Sequence, residues 1–236
     1  MAKKSYHIDG IGTVQVTKRR RSRRLRLRIS SDGAVHVSIP YWVPYRSAVS
    51  FVTEKRSWIT QHQPQRQLIE NGCIIGKHHD VVVKRLDGAD QPRTRVTNNS
   101  IVLTLPVGAD ALSAQAQAEL ARAAKRALVK QAQQILPVRV AELSRRYDFS
   151  YQSLRFRAMK SRWGSCSSNQ DITLNVFLMQ LDDDLIDYVI LHELLHTRIP
   201  AHGKIFWSEL ERYVDDLPAK RKRMKSVEPA LMPRLS

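Results

Sequence analysis

The densest cluster of groups able to do chemistry is His192, Glu193 and His196, in the run HELLH. On a helix, histidines four residues apart project from nearly the same side, one turn above the other, so one ion can reach both. Glu193 follows the first and is turned from the ion itself, where a base that deprotonates activated water belongs. A hydrolytic zinc wants three protein ligands and one open position. His202 is the natural third, because Pro200 ends the helix and lets the chain turn back. Glu209 and Glu211 compete for that place. Zn²⁺ at about 2.0–2.1 Å from imidazole nitrogens lowers the pKa of its water to about 7, so the expected chemistry is hydrolysis at a carbonyl or phosphoryl centre. Arg162, Asn175 and Tyr213 are candidate substrate or oxyanion contacts.

Positioning these groups requires a helix from the acids Asp182, Asp183 and Asp184, which suit a helix start, through LIDYVILHELLH to Pro200. A last amphipathic helix carries Phe206, Leu210, Tyr213, Val214 and Leu217. Upstream, Leu154–Ala158 and Ile172–Leu178 have strand character, and SRWGSCSSNQD between them reads as a turn. Residues 110–147 favour helix, interrupted by Pro137. The first hundred residues are β-rich. RLRLRI at 24–29 alternates, with Leu25, Leu27 and Ile29 on one face and Arg24, Arg26 and Arg28 on the other. The turn SSDG and the alternation of Val35, Val37 and Ile39 complete a hairpin with one basic face. A helix over 46–61 follows, then strands around 80–85 and 100–105 joined by a polar loop. The tail from Pro218, with KRKRMK, reads as mobile.

Composition narrows the partners. Thirty-nine Lys and Arg against twenty-two Asp and Glu give a net charge of +17, which attracts polyanions. The run KRRRSRRLRLR (18–28) concentrates that charge. No apolar run approaches the eighteen residues of a membrane span. The N-terminus MAKKSYHIDGIG has no apolar stretch behind its lysines, so a secretory signal is not expected and the cytoplasm is the expected compartment. Cys73 and Cys166 require no disulfide. Cys166 is expected as a small buried residue in a tight turn rather than a nucleophile, and Trp163 and Trp207 as core.

SRWGSC at 161–166, the strand with Asn175, IDYVILHELLH, HGKIFW at 202–207 and FVTEKRSWI at 51–59 together resemble the YgjP-like (DUF45, WLM-related) metal-dependent hydrolases. These are relatives of the SprT-like and minigluzincin metallopeptidases. The resemblance implies zinc on His192, His196 and His202, Glu193 as catalytic residue, and a compact α+β metallopeptidase-like domain. The expected architecture is α+β: a β-rich basic subdomain (1–109), a zincin-like catalytic domain with the HExxH helix (110–217) and a basic tail (218–236). The expected activity is a zinc-dependent metallopeptidase acting on peptide or protein. The alternatives are a metal-dependent nucleotide phosphohydrolase with Arg24, Arg26, Arg28 or Arg162 on the phosphates, and a nucleic-acid-associated protein of SprT-like character. No membrane partner is expected.

Overall fold

Alternating polar and apolar residues build the N-terminal sheet. The computed structural model describes residues 3–29, 33–62 and 68–230. Strands β1 (Lys3–Ile8), β2 (Gly12–Arg19), β3 (Arg26–Ile29) and β4 (Val35–Pro40) form one sheet in the order β1-β2-β4-β3. The expected hairpin is present: β3 runs antiparallel to β4, with Leu27 opposite Val37 and Arg28 opposite His36. Of the turn expected at SSDG, residues 30–32 lie outside the described residues. The inner face carries Val14, Val16, Val35, Val37 and Ile39. It packs on Ala48 and Val52 of α1 (Tyr45–Glu54) and Ile59 of α2 (Arg56–His62). The single helix expected over 46–61 is therefore two, broken at Lys55.

The chain divides after Arg66 into two compact units. The strands expected to belong to an N-terminal subdomain ending at residue 109 lie in the second unit. β5 (Ile74–Ile75), β6 (His79–Leu86), β7 (Arg93–Val96) and β8 (Ser100–Pro106) form a sheet in the order β5-β6-β8-β7. Ile75, Val81, Ile101, Leu103 and Leu105 share one core with Leu120, Ala124 and Leu128 of α3 (Ala114–Arg146). Burial accounts for this placement: each of these Ile, Val and Leu side chains gains roughly 1.5–3 kcal/mol by leaving water, and α3 supplies the apolar surface. Pro137 does not interrupt α3, because buried Leu136, Val140 and Leu143 pin the helix on both sides of it.

A polar pair sits inside this core. The Gln131 amide donates to the Ile75 carbonyl at 3.0 Å and to His79 Nδ1 at 2.7 Å, and accepts from the Lys77 N–H at 2.7 Å. His79 Nε2 faces the Thr97 carbonyl at 3.3 Å, so Nε2 carries the proton and the ring is neutral.

The third sheet, in the order β10-β11-β9, is built from β9 (Ser153–Arg157), β10 (Gly164–Cys166) and β11 (Asp171–Asn175). Residues 164–166, expected in a turn, form the edge strand β10, antiparallel to β11. The strand expected to reach Leu178 stops at Asn175, whose carbonyl oxygen Oδ1 accepts from the Phe177 N–H and opens a 3₁₀ turn over Val176–Gln180. Helix α4 (Asp183–Leu195) then starts among its three acids, α5 (Lys204–Glu211) follows, and α6 (Leu217–Ser226) takes up much of the tail expected to be mobile. Arg223 of α6 donates to Asp182 and Asp184 at 2.6 and 2.7 Å, fastening the tail to the start of α4. No helix among the described residues is long and apolar enough to cross a membrane.

Candidate metal centre

Helix α4 carries His192 into its last turn and His196 at its C-cap. The chain then turns: Thr197 and Arg198 N–H groups donate to the Leu194 and Leu195 carbonyls at 3.0 Å, and Pro200 prevents a new helix from starting at once. His202 comes back two residues before α5. Its Nε2 lies 2.9 Å from His192 Nε2 and 3.0 Å from His196 Nε2. Among the described residues these three form a group whose ligand atoms all lie within 4.8 Å of one another. Glu209 and Glu211 are not in it. Glu209 is turned to the Tyr213 hydroxyl at 2.6 Å and to Arg212.

The donor set fits a cation. His196 Nδ1 faces the Ile199 carbonyl at 3.0 Å, an acceptor only, so Nδ1 carries the proton and Nε2 presents a lone pair. Burial, helped by the charges of His196, His202 and Arg221, pushes the His192 pKa down to about 3, so this imidazole is neutral. Nitrogen lone pairs brought within 3.0 Å repel unless a proton or a cation lies between them. Four-coordinate zinc would hold its ligand nitrogens about 3.3 Å apart, close to the spacing seen. His192 Nδ1 is buried with no hydrogen-bond partner among the described residues.

Fully buried Phe206 forms the floor, with ring centroids 5.0, 4.6 and 4.9 Å from those of His192, His196 and His202. Trp207 stacks beside His202 at 5.6 Å and donates its indole N–H to the His202 carbonyl at 3.1 Å. Arg221 of α6 lies 3.7 Å over the Trp207 ring. Trp207 thus braces the third histidine, and the tail braces Trp207. Arg221 carries no motif signal, and although Phe206 lies in HGKIFW, its place under the three imidazoles arises from packing.

Glu193, the next residue along α4, is only 5% exposed and packs against β10. A Cβ on Gly164 of β10 would lie 2.6 Å from Glu193 Cγ and from Oε1, so the strand backbone presses directly on the carboxyl. Burial raises the Glu193 pKa to about 8, against a smaller lowering by Arg162. A glycine inside a strand leaves room for close approach of another group, here the Glu193 side chain. Cys166 lies in β10 rather than a tight turn, and burial, Glu193 and Asp171 raise its pKa, so it stays a thiol.

Arg162 is close enough to Glu193 to act on its charge. Asn175 is fully buried, and its amide is spent on backbone: Nδ2 donates to the Met159 and Arg162 carbonyls at 2.7 and 2.8 Å, and Oδ1 accepts from the Met159 and Phe177 N–H groups. It therefore has no group left for substrate. It shapes the loop that carries Arg162. The Tyr213 hydroxyl is likewise committed to Glu209, and its ring packs edge-on against Tyr147 and Phe149. Trp163 and Trp207 are half-buried and packed on the core. Arg24, Arg26 and Arg28 are exposed and belong to the other unit.

Residues 23–227 match the profile of the YgjP-like metallopeptidase domain. The metallopeptidase zymogen jannalysin of Methanocaldococcus jannaschii is similar over 37% of this chain and 88% of its own, at 27% identity and a TM-score of 0.32. The metallopeptidase zymogen abylysin of Pyrococcus abyssi is similar over 37% and 89%, at 21% identity and 0.33. No curated protein matches the chain.

Proposed function

The chain belongs to the YgjP-like metallopeptidase-domain family, and we propose that it is a zinc-dependent peptidase in which His192, His196 and His202 hold the metal and Glu193 is the general base. The observation that carries this reading is the meeting of three imidazole Nε2 atoms, with the buried Glu193 following His192 directly in the helix. Zinc bound there would acidify a water and polarise the scissile carbonyl. The protein's own residues supply the rest. Glu193 takes the proton from the attacking water onto its carboxylate and passes it to the leaving nitrogen. Burial strengthens its hold on the proton it receives, while the charge of a bound zinc would keep it ionised before the attack. The Arg162 guanidinium favours the carboxylate form and can meet a developing oxyanion.

An edge strand beside the catalytic helix favours an extended peptide. β10 is paired with β11 on one side only, so a substrate strand can add to its other edge through main-chain hydrogen bonds. A phosphohydrolase could use Arg162, which acts on the charge of Glu193, whereas Arg24, Arg26 and Arg28 belong to the N-terminal unit and its sheet. On that sheet they form a surface for a polyanion.

Hydrolysis of casein and of nucleoside triphosphates, each with and without chelator, tests the assignment. Chelator-sensitive casein cleavage is expected. Glu193→Gln should keep the metal and lose about 10²–10⁴-fold in rate, whereas His192→Ala should lose the metal itself. Cleavage of nucleotides alone would replace the peptidase reading with the phosphohydrolase one.

A further inference from the structure

The N-terminal unit presents a charged surface that the metal centre does not use. Register pairs Lys3 with Thr17, Thr17 with Ser38 and Ser38 with Arg26, a row that crosses all four strands on the outer face. A second row runs Ser5, Gln15, His36, Arg28. That face has no large apolar residue. At one end of it Arg19, Arg21, Arg23, Arg24 and Arg26 line an open cavity of about 410 Å³ with Ser22 and Ser38. None of these arginines has a carboxylate partner within ion-pair distance among the described residues, whereas Arg139, Arg212 and Arg223 do. Five unneutralised guanidinium groups around one concavity repel one another, and an anion relieves that repulsion.

The same end of the sheet exposes aromatic rings. Arg19 pairs with Pro40, so the turn after β4 stands beside the end of β2. That turn carries Tyr41 and Trp42, 59% and 68% exposed. Lys18 and Arg20 lie over the Tyr41 ring at 5.7 and 5.9 Å, and Lys18 donates to the Tyr41 carbonyl at 2.9 Å. Two large aromatics exposed side by side form an apolar patch rimmed by cations, a setting in which interaction sites occur. Cations beside exposed rings are the arrangement that holds a phosphate backbone while its bases stack.

From this juxtaposition we infer that the N-terminal sheet binds single-stranded nucleic acid, the arginine cavity taking backbone phosphates and Tyr41 and Trp42 stacking on unpaired bases. The inference deepens the polyanion reading of this sheet and rests on it. A duplex is disfavoured because its bases are already stacked and cannot reach the two rings.

Fluorescence anisotropy of the full-length protein with labelled dT₁₅, rU₁₅ and a 15-base-pair duplex, across a salt series, tests it. Both single strands should bind more tightly than the duplex, and rU₁₅ against dT₁₅ tells which sugar is preferred. The logarithm of affinity should fall with the logarithm of salt with a slope near −0.7 for each phosphate neutralised. Arg24→Ala with Arg26→Ala should flatten that slope by about 1.4. Trp42→Ala should leave the slope alone and weaken binding roughly 5- to 150-fold, and Trp42→Phe should restore most of it. Binding should survive Glu193→Gln. No salt-dependent binding at all would overturn both the polyanion reading and this one. Equal affinity for duplex, with no effect of Trp42→Ala in protein of unchanged circular dichroism, would overturn this one and leave a plain polyanion surface.

Discussion

Replacing Gly164 by alanine tests whether strand β10 sets the position of Glu193. The added Cβ would meet Glu193 Cγ and Oε1 at 2.6 Å and Cδ at 2.8 Å. Carbon atoms rest at about 3.5 Å or more, so one side must give by roughly 0.9 Å. Glu193 is on a buried turn of α4 and Gly164 is hydrogen-bonded into the sheet, so neither yields freely. Overpacking of this kind costs about 1–3 kcal/mol, which for a protein of this size lowers Tm by roughly 2–12 °C. A carboxylate displaced by close to 1 Å should cost on the order of 10²-fold in kcat/KM. The three imidazoles are untouched, so zinc stoichiometry by atomic emission should stay at the wild-type value. The two residues should also couple: in a Glu193→Ala background, Gly164→Ala should cost at least about 1 kcal/mol less than in the wild type, since the crowded atoms are gone. Wild-type activity and Tm in Gly164→Ala, with no coupling in the double variant, would refute the argument that this strand holds Glu193 in place.

Other consequences are more easily read. Asn175→Ala should lower stability by about 3 kcal/mol, because it strands backbone groups of residues 159, 162 and 177; a denaturant midpoint equal to wild type would contradict its buried role. The His79 pKa lies below its ordinary value, chiefly through burial. The unfolded chain therefore takes up the proton first as pH falls below about 6.5, and stability drops there by up to about 1.4 kcal/mol per pH unit. Urea midpoints between pH 7 and pH 5 should show a steeper loss in wild type than in His79→Asn. Arg221→Ala removes the cation over Trp207 and should quench or shift tryptophan fluorescence and loosen zinc retention against a chelator; unchanged off-rates would remove the tail from the metal centre.

Much of the site is legible in the chain because its parts are local. His192 and His196 are one helical turn apart, and Pro200 with the return to His202 lies within ten residues. The basic face of β3 is legible for the same reason, from period-two alternation. Asn175 and Tyr213, expected as substrate contacts, have polar groups bonded within the protein, and a polar side chain near a motif carries no mark in the sequence of how its hydrogen bonds are spent. Within SRWGSCSSNQD, expected as a turn, residues 168–169 do turn, while residues 164–166 form an edge strand too short for periodicity to show. Residues 74–106 looked like part of a β-rich N-terminal half, and only the apolar face of α3 reveals where they are buried.

The amino-acid sequence alone determined which groups could bind an ion and act as a base, since ligand spacing on a helix follows from 3.6 residues per turn. It also determined the basic N-terminal surface. Tertiary structure decided the rest: Gly164 pressed on Glu193, Phe206 beneath three imidazoles, Asn175 tied to its loop, and Arg221 brought over Trp207. Each of those contacts joins residues on different elements, where no short-range period constrains the pairing and only the packing of a shared core brings them together.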